Sequence, residues 1–93
     1  MRYDTDAICE IAARIGQLHH EMLHLRKVLG KTEHEKLQTL MDKCHSLIRC
    51  MSKEIPECNR RGKKTLNMVT MEKEVEVYVS VLEGELLCAT MMV

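Results

Sequence analysis

Seven apolar residues, Ile8, Ile11, Ile15, Leu18, Met22, Leu25 and Leu29, follow one another at alternating spacings of three and four in the first third of the chain. An α-helix turns once every ~3.6 residues, so this spacing gathers all seven into one narrow stripe, a heptad seam, and predicts an amphipathic helix over about 7–29. Asp6 stands before it as an N-cap, Arg26 and Lys27 fall in its last turn, and Gly30 follows where a left-handed residue ends many helices. A lone helix of this length is marginal in water and would leave the stripe wet. Packing against other helices is the first property the pattern implies.

Thr32 and Glu35 then form a capping-box pattern, in which a hydroxyl and a carboxylate each meet a backbone amide left open at a helix start. The apolar residues that follow, Leu37, Leu40, Met41, Cys44, Leu47, Ile48, Met51 and Ile55, make a broader stripe, and Pro56 marks its end, which predicts a second helix over about 33–55. A short link between two helices of similar length predicts an antiparallel αα-hairpin, with Ile15 near Leu47 and Ile11 near Met51. The second stripe is wider than the first can cover, so its surplus calls for the C-terminal segment, a second subunit, or both.

Residues 56–65 are polar, interrupted by Pro56 and Gly62, and read as an exposed basic connector. The segment after them supports two periods. Val75, Val77, Val79 and Val81 alternate with Glu74, Glu76, Tyr78 and Ser80, as in a half-buried strand, and β-branched residues favour that choice. Met71, Val75, Tyr78, Leu82, Leu86, Ala89 and Val93 also recur at three or four, as in a helix. The expected fold is mainly α: a single domain over 1–93 in which a helical hairpin, 6–55, forms a dimeric bundle. The acidic segment 66–93 is expected to fold as a C-terminal β-hairpin, with a third helix as the alternative.

Composition narrows the function. The 93 residues contain no Phe or Trp, two Tyr and eight Met, so the core is aliphatic and adaptable, and platforms for stacking bases are scarce. Five cysteines, an odd number without a CxxC pair, argue against a disulfide framework. No secretory signal, lipidation motif or membrane-length apolar run is recognisable, which points to an intracellular protein, cytoplasmic or nuclear, with no membrane partner. Net charge is zero, yet residues 1–64 carry thirteen Lys or Arg against nine Asp or Glu, and residues 65–93 carry one against five.

His20-Glu21-Met22-Leu23-His24 matches the zincin pattern, two imidazoles one helical turn apart with a glutamate between them to activate water. A zincin also needs a third ligand and a substrate cleft, neither of which is identifiable in the sequence; a downstream glutamate such as Glu54 or Glu57 is a candidate ligand only by default. His20 and His24 also face away from the seam, so a solvated helix face is the expected role and a zinc metallohydrolase only a minor alternative. Cys44, His45, Cys50 and Cys58 follow no zinc-finger spacing. Arg60, Arg61, Lys63 and Lys64 form one concentrated basic patch suited to phosphate contact. Lys36, Lys43, Arg49 and Lys53 on the second helix, with Arg14, Arg26 and Lys27 on the first, are candidates to extend it.

These features lead first to a non-enzymatic, cofactor-free module that self-associates as a homodimer or higher assembly through Ile11, Ile15, Leu18, Met22, Leu40, Cys44, Leu47 and Met51. The second expectation is a duplex RNA- or DNA-binding protein that uses the basic patch and its helper charges. In architecture alone, such a helical-hairpin dimer resembles the small viral double-stranded-RNA binders that suppress silencing, and that resemblance implies recognition of duplex shape by backbone contacts.

Overall fold

The heptad seam of the first helix is covered by the chain's own helices. The computed structural model describes residues 6–91. They form three helices, α1 (Asp6–His24), α2 (Lys31–Arg61) and α3 (Leu66–Met91), and no strand occurs among the described residues. Short links reverse the chain twice, so α2 runs antiparallel to both neighbours, and α1 and α3 run side by side in the same direction. The long axis of 48 Å is close to the length of α2 alone, whose 31 residues rise about 1.5 Å each.

From α1, Ile8, Ile15, Leu18 and Met22 are buried, with Ile11, Leu25 and Leu29 half-buried beside them. From α2 come Leu37, Met41, Cys44, Met51 and Cys58, and from α3 Met68, Val75, Val79, Leu82 and Leu86, all in one continuous cluster. Four methionines with no solvent exposure occupy it in place of aromatic rings, since an unbranched thioether can fill irregular space between helices. The antiparallel hairpin of α1 and α2 is as expected, and His19 facing His45 across it, ring centroids 6.3 Å apart, fixes the register. The surplus width of the α2 stripe is covered by α3. The seam therefore closes within one chain, and the predicted dimer is not needed to keep it dry.

Several predicted boundaries are corrected. α1 stops at His24, not near residue 29. Beyond it the backbone tightens, with Arg26 N–H donating to the Leu23 carbonyl at 3.4 Å and Val28 N–H to that of Leu25 at 3.0 Å. This reverses the chain while leaving Leu25 and Leu29 against the core. Asp6 lies inside the first turn. Gly30 is extended, with φ −64° and ψ 162°, and caps the start of α2 instead of the end of α1. Thr32 is thereby drawn into the first turn of α2, so the capping box with Glu35 does not form.

Pro56 does not end α2. Its ring costs the helix the bond to the Ser52 carbonyl, but both residues are exposed, so solvent can meet the abandoned acceptor and the helix continues to Arg61. The connector shrinks to residues 62–65, and each side of it is capped. Gly62 is left-handed at φ 70°; its N–H donates to the Asn59 carbonyl at 3.3 Å and that of Lys63 to the Cys58 carbonyl at 3.2 Å, a Schellman ending. Thr65 opens α3 by accepting the Met68 N–H on its hydroxyl at 3.1 Å.

The expected C-terminal β-hairpin is replaced by the alternative, a third helix. Packing decided between the two periods. A helix places Val75, Val79, Leu82, Leu86 and Ala89 on one buried face opposite α2 and α1, whereas a two-stranded hairpin would leave the wide α2 stripe uncovered. Val93, the last residue of the predicted helical set, lies outside the described residues.

Candidate functional site

α3 is apolar on more than the side it buries. Val77, Val81, Gly84, Cys88 and Met91 follow at four, three, four and three along its outward face, with Leu87 beside them. Val77 is 60%, Leu87 62% and Met91 77% exposed. Gly84, at the middle of this ridge, has open space where a side chain would stand. Lys73 is the one charge on this face, and carboxylates border it on both sides: Glu76 and Glu83 toward α1, Glu74 and Glu85 toward α2.

The two borders differ electrostatically. Arg14 of α1 donates to Glu76 at 3.1 Å and pairs with Glu83, and these hydrogen bonds raise the guanidinium pKa further above its ordinary value. One cation thus serves two carboxylates. The same two helices enclose a shallow groove lined by Gln17, Leu18 and Glu21 from α1 and by Gly84 and Leu87 from α3, continuous with the ridge. On the other border Glu74 accepts a long hydrogen bond, 3.4 Å, from the Tyr78 hydroxyl, and Lys43 of α2 stands 5.6 Å from the Tyr78 ring centre. Glu85 makes no ion pair or hydrogen bond among the described residues.

The predicted phosphate-binding residues are brought together only in part. Arg60 and Arg61 belong to the last turn of α2, and both donate to Glu57, which holds its carboxyl pKa down to about 2. Lys64 is paired with Glu72 at 3.0 Å. Lys63 alone of the four makes no ion pair among the described residues. Arg49, Lys53 and Arg60 share the outward face of α2, where Asp42 and Glu57 interrupt them, and Arg49 donates to Ser46. Lys36 pairs with Glu33, and Lys43 leans toward α3, so these two lie on a different side.

The predicted association residues lie in or against the bundle core. Ile15, Leu18, Met22, Cys44 and Met51 are buried within the single chain, and Ile11, Leu40 and Leu47 are half-buried against them. His20 and His24 are exposed on α1 with their Nε2 atoms 3.0 Å apart. No group of three or more His, Cys, Asp or Glu placed to hold a metal ion together occurs among the described residues. Glu54 and Glu57, the candidate third ligands, lie more than two turns of α2 beyond His45, and Glu57 is engaged by its arginines. Burial raises the Cys44 thiol pKa, and Cys58 is buried beside the Thr65 hydroxyl; Cys9, Cys50 and Cys88 are exposed.

The ridge is what the sequence reading missed. Once the set Met71, Val75, Tyr78, Leu82, Leu86 and Ala89 is assigned inward, Val77, Val81, Cys88 and Met91 remain as a second heptad-spaced set; treating the valines as one strand face hid that division. No helix among the described residues is long and apolar enough to cross a membrane. No family model, curated protein or solved structure matches the chain.

Proposed function

We propose that this chain is a non-enzymatic helical interaction module that engages a further helix through the outward face of α3. One observation carries the reading: Val77, Val81, Cys88 and Met91 stand in solvent at heptad spacing, with Leu87 exposed beside them, on a helix whose opposite face already completes the core. Exposed large apolar side chains scattered singly need no explanation, but a continuous ridge beside a groove is the signature of a docking surface. Self-association remains one way to occupy that face; it would use α3 and not the seam of α1. A duplex nucleic-acid role has less support, because Arg60, Arg61 and Lys64 already hold carboxylates of the same chain.

The test is a fluorescence-anisotropy titration with a labelled amphipathic peptide about three heptads long, leucines on its seam and glutamines on its borders, alongside sedimentation of the protein alone over a concentration series. Saturable binding, or concentration-dependent dimers, is expected. Either should be lost in a Val77→Asn, Leu87→Asn double variant of unchanged helicity. A monomer that binds no peptide would overturn the proposal.

A further inference from the structure

We infer that the occupant of the α3 face is an amphipathic helix of another protein whose apolar seam is bordered by lysines or arginines, seated along α3 as the fourth helix of a bundle. The inference rests on the interaction-module reading above and adds the chemistry of the partner. Around the ridge stand Glu74, Glu76, Glu83 and Glu85 against Lys73 on the face, Arg14 beneath it and Lys43 beside Tyr78, so the border keeps a net negative charge among the described residues. Glu21 adds another carboxylate to the groove between α1 and α3. In helix pairs that meet along a heptad seam, bordering charges select the partner, because like charges across the seam repel and opposite charges attract.

A second copy of this chain fits that border poorly. Both edges of the ridge are acidic, so α3 facing α3 sets glutamate rows against glutamate rows in the parallel and the antiparallel arrangement alike. The cations on the outward face of α2 do not offer a complement either. Arg49, Lys53 and Arg60 lie on the outward face of α2, where Thr39, Asp42, Ser46 and Glu57 surround them and no large apolar residue is exposed to enter the ridge. Gly84 gives the incoming helix a place of close approach, since nothing among the described residues fills the space above it.

The titration is repeated with two peptides sharing the leucine seam, one with lysines on both borders and one with glutamates. The lysine peptide is expected to bind about tenfold more tightly than the glutamate peptide at low ionic strength, with the gap closing as salt screens exposed charges. A Glu74→Gln, Glu85→Gln variant should lose most of that preference while keeping its affinity for the glutamine-bordered peptide. Equal binding of the lysine and glutamate peptides would overturn the inference and leave the docking face standing. Dimerisation through α3 that excludes the lysine peptide would overturn it in favour of a second copy. Failure of every peptide with a strictly monomeric protein would remove the inference and the module reading together.

Discussion

The guanidinium of Arg14 on α1 holds the Glu76 carboxylate of α3 at 3.1 Å, joining two helices that run in the same direction with α2 between them in the chain. Helices that run parallel here have no link of their own, so side chains alone set their register. Both partners of this pair are about half exposed, which limits what the contact contributes. A double-mutant cycle on Arg14→Gln and Glu76→Gln is expected to give a coupling of about 0.2–1 kcal/mol in chemical denaturation, falling toward zero in molar salt. A coupling above about 2 kcal/mol, or one insensitive to salt, would show that the pair is better shielded from solvent than its exposure indicates.

Val75 and Val77 separate the helical from the extended reading of the C-terminal segment. On a strand they would share a face; on α3 Val75 is fully buried and Val77 is 60% exposed. Val75→Asp places an unpaired charge in the core and is expected to unfold the protein or cost more than about 3 kcal/mol. Val77→Asp should stay within about 0.5 kcal/mol of the parent in urea midpoint measurements. Equal losses at both positions would contradict the helical assignment.

The same pair explains how far the sequence could be read. The seam from Ile8 to Met22 was legible because one period fits it and no other does, and its burial follows directly. The valine run fits two periods, and only the uncovered width of the α2 stripe, a property of tertiary packing, selects the helix. Helix ends were the least legible. Gly30, Thr32 and Pro56 each carry a boundary signal, and each was overridden by its neighbours: Gly30 caps the following helix, and Pro56 faces solvent where its missing hydrogen bond is tolerable. The outward apolar ridge of α3 is not legible in the sequence because finding it requires the helix to be assigned first.

Thr65 holds the start of α3. Its hydroxyl accepts the N–H of Met68, a residue with no solvent exposure, so removing the acceptor strands a buried donor. Thr65→Ala is expected to cost about 0.5–2 kcal/mol and to speed hydrogen exchange at the Met68 amide, while Thr65→Ser retains most of the stability. An alanine variant as stable as the parent, with a protected Met68 amide, would show that the cap contributes nothing.

Pro56 is a place where the chain is less stable than its fold allows. A helix interior disfavours proline by about 3 kcal/mol relative to alanine, part of which is offset by the stiffer unfolded chain. Pro56→Ala should therefore raise stability by about 1–2 kcal/mol, visible as a rise of several degrees in Tm with no loss of helicity. A lower Tm would mean that the ring makes packing contacts that its exposed position does not suggest.

Glu57 titrates far from the ordinary carboxylate range because hydrogen bonds from Arg60, and then from Arg61, favour its charged form, moving its pKa from 4.5 to about 2. The folded value is the lower one, so between the two the unfolded chain binds more protons than the folded chain, and stability rises with pH across that window. The contribution of this triad is fully present above pH ~4.5 and is lost as the pH falls toward about 2. Carboxyl carbon shifts followed by NMR should place the Glu57 midpoint near the bottom of that window, and Arg60→Gln should move it upward. The same substitution should flatten the acid limb of the urea midpoint between those pH values. A parent midpoint near 4.5 would mean that the two arginines do not hold Glu57 in solution, and would return Arg60 and Arg61 to the pool of cations available to a phosphate backbone.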